Sequence, residues 1–117
     1  MTKRELIDYC LTYPAAYEDY PFDDTTALVR HSGNKKMFAL IAERNGKLYI
    51  NLKCDPIKAD TLRTVFESVE AGWHMNKDHW ITVYIDGAVP GQELYEMIQH
   101  SYDLTKPKLK EKQNEYI

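Results

Sequence analysis

Residues 25–53 read TTALVRH, SGN, KKMFALIAER, NG and KLYINLK: three apolar runs separated by two short polar turns. The second turn is Asn45-Gly46. Asn-Gly between two strand-like runs is the strongest short-range signal for a β-hairpin, because both central residues of a type I′ turn need positive φ. This stretch therefore predicts an antiparallel three-stranded meander.

Helical patterns lie on both sides of the meander. Three amphipathic segments predict helices, near residues 3–12, 56–67 and 91–104. The first begins with a capping-box pair, Thr2 and Glu5, and the second follows Asp55, which suits an N-cap. The chain is thus expected to mix helices with an antiparallel sheet.

Two further segments complete the assignment. Residues 15–24, AAYEDYPFDD, are acidic and aromatic and are expected to form a loop. Residues 72–76 and 80–85 are expected to be two strands joined by a turn at Asn76, Lys77 and Asp78. Together these patterns predict an α+β fold with a single antiparallel β-sheet and helices.

The alternation of side chains along a strand assigns two faces to the sheet. One face is expected to be core, covered by the first and last helices; its members are Leu48, Ile50, Leu52, Ile81, Val83 and Ile85. The other face would carry Tyr49, Asn51, Lys53, Trp80 and Tyr84. Of these, Tyr49 and Tyr84 are candidates for stacking against bases. The alternative is that the middle helix or the YEDYPF loop shields this face.

Length and composition fit one domain spanning residues 1–117, with a lysine-rich tail from about residue 106. There is no long apolar run and no apolar stretch near the amino terminus, so neither a membrane span nor a secretory signal is expected, and a cytoplasmic monomer is the default. Cys10 and Cys54 are far apart in sequence and are expected to be reduced and buried.

Charge is segregated along the chain although its total is only −3. Counting Lys and Arg against Asp and Glu, residues 1–24 carry two and six, and residues 25–63 carry eight and three. Residues 64–103 carry one and seven, and residues 104–117 carry four and two. The acidic total argues against a protein that coats nucleic acid nonspecifically. The basic segments are nevertheless compatible with a local basic patch on the surface.

Catalytic and metal-binding patterns are weak. The candidate ligands Cys54, His74, Asp78 and His79 match neither the helical HxxxH spacing nor the paired CxxC spacing typical of zinc sites. The serines lie in no nucleophile-elbow pattern, and the glycines form no phosphate-binding loop. We therefore expect no metal, no cofactor and no enzymatic activity.

The polar turn within residues 72–80, GWHMNKDHW, is the most distinctive feature. Four donor-bearing side chains cluster on it, those of His74, Asn76, Lys77 and His79. Such a tip can contact a phosphate backbone, and Lys53 and Arg30 would extend the contact across the sheet. The alternative is a solvated hairpin in which Asn76 or Asp78 makes a local Asx turn.

The run GWHMNKDHWITV, preceded by LYINLKCDP and followed by ELYEMIQHSYDL, resembles the MmcQ/YjbR family of small bacterial proteins. The resemblance covers nearly the whole chain, and its matching positions are Lys53, Pro56, His74, Met75, Asn76, Lys77, Trp80, Ser101 and Tyr102. It implies a CyaY-like, frataxin-type fold and DNA binding through a double-wing motif.

One departure from the family pattern is Pro107, which falls where the terminal helix of the family usually runs on. Two alternatives to DNA binding are a protein-partner module, using the aromatic face or the acidic loop, and a frataxin-like metal or small-molecule role. Iron delivery is disfavoured because the first helix offers only Glu5 and Asp8 beside Lys3 and Arg4, not the acidic ridge that frataxins share.

Overall fold

A computed structural model describes residues 1–72 and 75–108 of the chain. Its three helices are α1 (Lys3–Leu11), α2 (Pro56–Val65) and α3 (Gly91–Thr105). Its six strands are β1 (Ala16–Asp19), β2 (Ala27–His31), β3 (Met37–Arg44), β4 (Lys47–Lys53), β5 (Val69–Ala71) and β6 (Trp80–Tyr84). The predicted α+β class is confirmed.

The six strands form one sheet in the order β1-β2-β3-β4-β6-β5, and every neighbouring pair is antiparallel. The first four strands are a meander. The chain then leaves the sheet through α2, returns as the short edge strand β5 and turns back into β6 beside β4. Residues distant in sequence therefore meet at the two ends of the sheet.

The local signals that predicted the elements act as expected. The Thr2 side chain accepts a hydrogen bond from the Glu5 backbone N–H, and the Glu5 carboxylate accepts one from the Thr2 backbone, a complete capping box. Asn45 has a φ of 53° and Gly46 a φ of 77°, the positive pair that the β3–β4 turn requires. The Asn45-Gly46 hairpin is thus confirmed.

The predicted core face is also confirmed. Ile50, Leu52, Ile81 and Val83 are fully buried, with Leu48 and Ile85 packed against them at the margin. The three helices cover this face, and each contributes buried apolar side chains to the same cluster, among them Leu6, Ile7, Ala59, Leu62, Leu94 and Ile98. All three helices therefore lie on one side of the sheet and leave the opposite face to loops.

One expectation that the structure corrects is the loop at residues 15–24, because Ala16–Asp19 form the edge strand β1. Its acidic side chains are accommodated by two arginines. Arg4 makes two hydrogen bonds to the Glu18 carboxylate, and Arg30 makes one to Asp19 at 2.8 Å. These ion pairs offset the negative charge that made the segment look like a loop.

A second correction concerns the strand expected at residues 72–76. The strand that pairs with β6 is Val69–Ala71, in the register Val69 with Val83 and Ala71 with Ile81. That register buries Val69, which is 4% exposed, in the core. The prediction placed the strand too late in the sequence because the residues from 72 onward are aromatic and polar. The buried Val69 determines where the strand lies. Trp73 and His74 lie outside the described residues.

Candidate nucleic-acid interface

The turn ahead of β6 is held against the end of β4. The backbone N–H of Cys54 donates to the carbonyl of His79 at 2.8 Å, and the N–H of Gly72 donates to the carbonyl of Trp80 at 2.9 Å. Within the turn, His79 N–H donates to the Asn76 carbonyl at 3.1 Å. The turn is thus fixed to the sheet on both sides, and Asn76, Lys77, Asp78 and His79 are exposed.

The side chain of Asn76 stabilises this turn. Its Oδ1 accepts a hydrogen bond from the backbone N–H of Asp78 at 3.0 Å, which closes an Asx turn. The ammonium of Lys77 and the imidazole of His79 project from the turn into solvent. His74, the fourth candidate on this turn, lies outside the described residues.

Lys53 stands opposite Trp80 in the β4–β6 register. Its Nζ lies 5.7 Å from the centroid of the Trp80 ring, within the range of a cation–π contact. Both residues are partly buried. The indole is therefore a platform beneath the lysine.

Arg30 lies on β2, with β3 and β4 between it and the turn ahead of β6. Its guanidinium is already engaged, because Nε donates to Asp19 and Nη1 donates to the carbonyl of Lys35, both at 2.8 Å. The Asp19 carboxylate offsets the charge of Arg30. Among the three predicted basic contacts, Arg30 is therefore the one with a neutralising partner.

The carboxyl end of α3 ties the loops of this end together. Ser101 Oγ accepts a hydrogen bond from the Lys53 backbone N–H at 2.9 Å and donates to the Phe38 carbonyl at 2.5 Å. Asn34, in the β2–β3 turn, donates from Nδ2 to the Thr105 carbonyl at 2.9 Å. The turn after β2, the end of β4 and the end of α3 are thus neighbours.

This arrangement brings lysines from five parts of the sequence to one end of the sheet. They come from the β2–β3 turn, the end of β4, the first turn of α2, the turn before β6 and the residues after α3. We call them the lysine end: Lys35, Lys36, Lys53, Lys58, Lys77, Lys106 and Lys108. Asp55, Asp78 and Asp103 lie among them. Asp55 caps α2 and Asp103 accepts from Gln99 and Lys106, whereas Asp78 is exposed in the turn beside Lys77.

At the opposite end of the sheet carboxylates outnumber the basic side chains, which include Lys3, Arg44 and Lys47. We call it the acidic end, and its carboxylates are Asp19, Asp23, Asp24, Glu43, Glu67 and Asp86. Hydrogen bonds from the backbone N–H groups of Thr25 and Thr26 lower the pKa of Asp23, and a hydrogen bond from the Ser68 hydroxyl lowers the pKa of Asp86. Asp23 and Asp86 therefore stay ionised at neutral pH, and the molecule is electrically polar along its strands.

The face opposite the helices carries the side chains that the alternation of β4 and β6 predicts. The pairs across the two strands are Tyr49 with Tyr84, Asn51 with Thr82, and Lys53 with Trp80. The Tyr49 and Tyr84 rings meet edge to face, with centroids 6.4 Å apart. Tyr49 also packs with Met75 against a small apolar cluster formed by Leu28, Leu40 and Ala42.

Neither cysteine is disulfide-bonded, and both are buried, as expected. Burial raises the pKa of Cys10 to about 12 and also raises the pKa of Cys54, so both are thiols at neutral pH. In residues 1–72 and 75–108, no three His, Cys, Asp or Glu side chains are grouped so as to hold a metal ion. No helix in these ranges is long and apolar enough to cross a membrane.

Sequence reasoning missed most of the lysine end. Lys35, Lys36, Lys58 and Lys106 were not identified individually, because nothing in the linear order shows that a β-turn, a helix start and a helix end are neighbours. The available signal was the basic excess of residues 25–63, which holds Lys35, Lys36, Lys53 and Lys58. The role of Ser101 in joining these elements likewise depends on tertiary contacts.

Comparison with known proteins gives one consistent match. A family model described as YjbR matches residues 11–104. A protein named "Uncharacterized protein YjbR" from Escherichia coli is 32% identical over 102 residues, covering 87% of this chain and 85% of that protein. "Uncharacterized protein YyaQ" from Bacillus subtilis is 32% identical over 118 residues, covering 91% of this chain and 99% of that protein.

Solved structures agree with the sequence matches. A crystal structure of a Deinococcus radiodurans protein superposes with a TM-score of 0.83 at 34% identity, covering 98% of this chain and 86% of that chain. A crystal structure of a Pseudomonas syringae protein gives a TM-score of 0.79 at 32% identity, covering 90% of this chain and 99% of that chain.

Proposed function

The chain belongs to the YjbR family, and on that premise we propose that it binds DNA by placing its lysine end against the phosphate backbone. The observation that carries this proposal is the convergence of seven lysines from five separate segments on one end of the sheet. A protein that neutralises several phosphates releases condensed counterions, which supplies most of the affinity for nucleic acid without any base-specific contact.

The geometry of the lysines supports a backbone contact. Lys77 is exposed on a turn whose backbone is fixed by hydrogen bonds from β4, so its ammonium is presented on a rigid element. Lys53 lies beside it, supported by the Trp80 ring. Lys35 and Lys36 extend the positive surface across the β2–β3 turn. Arg30 contributes less, because Asp19 already pairs with it.

The acidic total is compatible with this proposal because the charges are separated in space. Electrostatic attraction between exposed charges is screened beyond about 8 Å at physiological salt, so a phosphate at one end of the sheet is little affected by carboxylates at the other. The two ends lie about one strand length apart, which is about 20 Å for the seven residues of β4. The sign of the local surface therefore matters more than the net charge.

The experiment is fluorescence anisotropy of labelled DNA across a salt series, with wild type, Lys77→Ala and Lys47→Ala. Lys47 is the matched control, since it is an exposed lysine at the start of β4, at the acidic end. We expect Lys77→Ala to weaken binding to all sequences alike and to reduce the slope of log K against log salt by about 1. Lys47→Ala should behave as wild type.

Absence of binding at low salt would overturn the proposal, and so would equal loss of affinity in the two variants. In that case a protein-partner module becomes the better reading. Its surface would be the loop after β1, where Phe22 is 71% exposed and Tyr20 is 39% exposed.

A further inference from the structure

A groove of about 300 Å³ lies on the face of the sheet that the helices leave uncovered. The β1–β2 loop forms one wall and Met75 forms the other, and side chains of β3 and β4 form the floor. The lining residues are Phe22, Asp23, Thr26, Leu40, Tyr49, Asn51 and Met75. None of these except Tyr49 was a candidate site residue from the sequence.

The floor of the groove includes a buried amide side chain, that of Asn51. Asn51 is 2% exposed, and its Oδ1 accepts a hydrogen bond from Thr82 Oγ1 at 2.7 Å. Asn51 lines the groove, so its side-chain amide can donate a hydrogen bond to an acceptor atom on a ligand.

The walls of the groove suit the flat face of an aromatic ring. The Phe22 side chain is 71% exposed at the rim, so much of its ring is accessible to a ligand. The thioether of Met75 and the ring of Tyr49 add polarizable surface beside it. A planar heterocycle that stacks on these side chains and presents an acceptor edge to Asn51 would match both features.

The groove adjoins the lysine end. Lys53 follows Asn51 by two residues on the same face of β4, a separation of about 7 Å along the strand. Met75 precedes Lys77 by two residues, on the other wall. At the far rim stands the ionised carboxylate of Asp23, whose two oxygens are occupied by Thr25 and Thr26. An anionic group attached to the heterocycle would therefore point towards the lysines and away from Asp23.

We infer that this groove binds an unpaired nucleobase, so that the preferred ligand is a single strand with one base on Asn51 and its phosphates on the lysine end. This inference rests on the proposed function, which supplies the phosphate contact. It adds Phe22, Asn51 and Met75 as base-binding residues. A base held within a duplex cannot enter the groove, whereas a base in a single strand can leave its neighbours to stack on protein side chains.

The first test compares three labelled DNA ligands of equal length by anisotropy: a single strand, a single strand whose central nucleotides are abasic, and a duplex. The two single strands carry the same phosphates, so their difference measures the base contact alone. We expect the normal strand to bind about 5- to 100-fold more tightly than the abasic strand, the range for stacking of one base. Phe22→Ala should remove this difference and leave abasic binding unchanged.

The outcomes separate the two proposals. If normal and abasic strands bind equally, and Phe22→Ala changes neither, the base site is wrong while the phosphate contact stands. If neither strand nor the duplex binds at low salt, the proposed function fails first. Phe22 is a safe position for this variant because its ring is largely in solvent, so the fold should not depend on it.

A second measurement uses the unaltered protein, because Asn51 is buried and its substitution would disturb the sheet. ¹⁵N-labelled protein is titrated with a nucleoside 5′-monophosphate and, separately, with ribose 5-phosphate. We expect the side-chain amide resonances of Asn51 to shift with the nucleotide and to stay in place with the sugar phosphate. Unshifted Asn51 resonances at saturating nucleotide would overturn the base site.

Discussion

Replacing Ser101 by alanine removes the hydroxyl that joins α3 to two strands. Ser101 is fully buried, and its Oγ accepts from the Lys53 backbone N–H at 2.9 Å while donating to the Phe38 carbonyl at 2.5 Å. The alanine methyl group fits the space but can make neither bond. One backbone donor and one backbone acceptor are then left without a partner in the interior.

The magnitude follows from these two groups. Leaving a buried donor or acceptor unsatisfied costs about 1–3 kcal/mol, and partial relaxation at one of the two sites lowers the sum, so we expect a loss of about 2–4 kcal/mol. The entropy of unfolding is about 2.1 cal/mol/K per residue, which for this chain length makes 1 kcal/mol worth about 4 °C. The melting temperature should therefore fall by about 8–16 °C.

The assay is thermal and urea unfolding followed by circular dichroism, with Ser32→Ala as the matched control. The Ser32 hydroxyl also donates to a backbone carbonyl, that of Ala15 at 2.8 Å, but this site is exposed and water can replace the bond. We expect Ser32→Ala to stay within about 0.5 kcal/mol of wild type. Equal effects of the two variants would refute the reasoning, because burial would then not be what makes the Ser101 bonds valuable.

Two further predictions concern stability. Trp80→Ala should cost about 3 kcal/mol, the low end for a large aromatic side chain, because the ring is only partly buried. Urea unfolding beside Phe22→Ala checks this, and a loss no larger than that of Phe22→Ala would contradict it. Burial lowers the pKa of both His31 and His100, helped by Lys106 and Lys58 respectively. The unfolded chain therefore takes up protons first as pH falls below about 6.5, and the free energy of unfolding should decrease between pH 7.5 and 5.5. His100→Gln should flatten that dependence, and an unchanged slope would exclude a contribution from His100.

Local chemistry explains why much of the fold could be predicted. The capping box at Thr2 and Glu5 and the Asn-Gly turn after β3 are decided within a few residues, so short-range rules are sufficient. The alternation of β4 and β6 likewise separates core from open face without knowledge of the partners. These signals depend on backbone preference and burial, both of which the residue types encode directly.

The two errors have a common physical origin. β1 carries Glu18 and Asp19, residue types depleted in strands, and it forms because Arg4 and Arg30 offset their charges. β5 is only three residues long and is set by the burial of Val69 against β6. In both cases a contact with a residue distant in sequence overrides local preference, and a reading along the chain does not include that contact.

The sequence predicted the general type of the candidate site, but not the full set of residues that form it. The sequence identified Lys77 on the polar turn before β6 and Lys53 near it as candidate contacts. The base groove was not identified, since it requires that Phe22 from one loop and Met75 from another lie over the same stretch of β4. Asn51 was assigned to the correct face, but its position on the floor of a groove is a property of the packed structure.

The separation of charge along the strands also bears on orientation in the proposed complex. A phosphate backbone that approaches the acidic end meets Asp23, Asp24 and Asp86 and is repelled, whereas the opposite end attracts it. The exposed groove opens between these two ends, so a strand entering it runs from lysines at one side to a carboxylate at the other. Only one of the two placements of a nucleotide puts its phosphate on Lys53 rather than on Asp23. Repulsion between Asp23 and the phosphate would thus disfavour the reversed placement of the nucleotide and add to specificity.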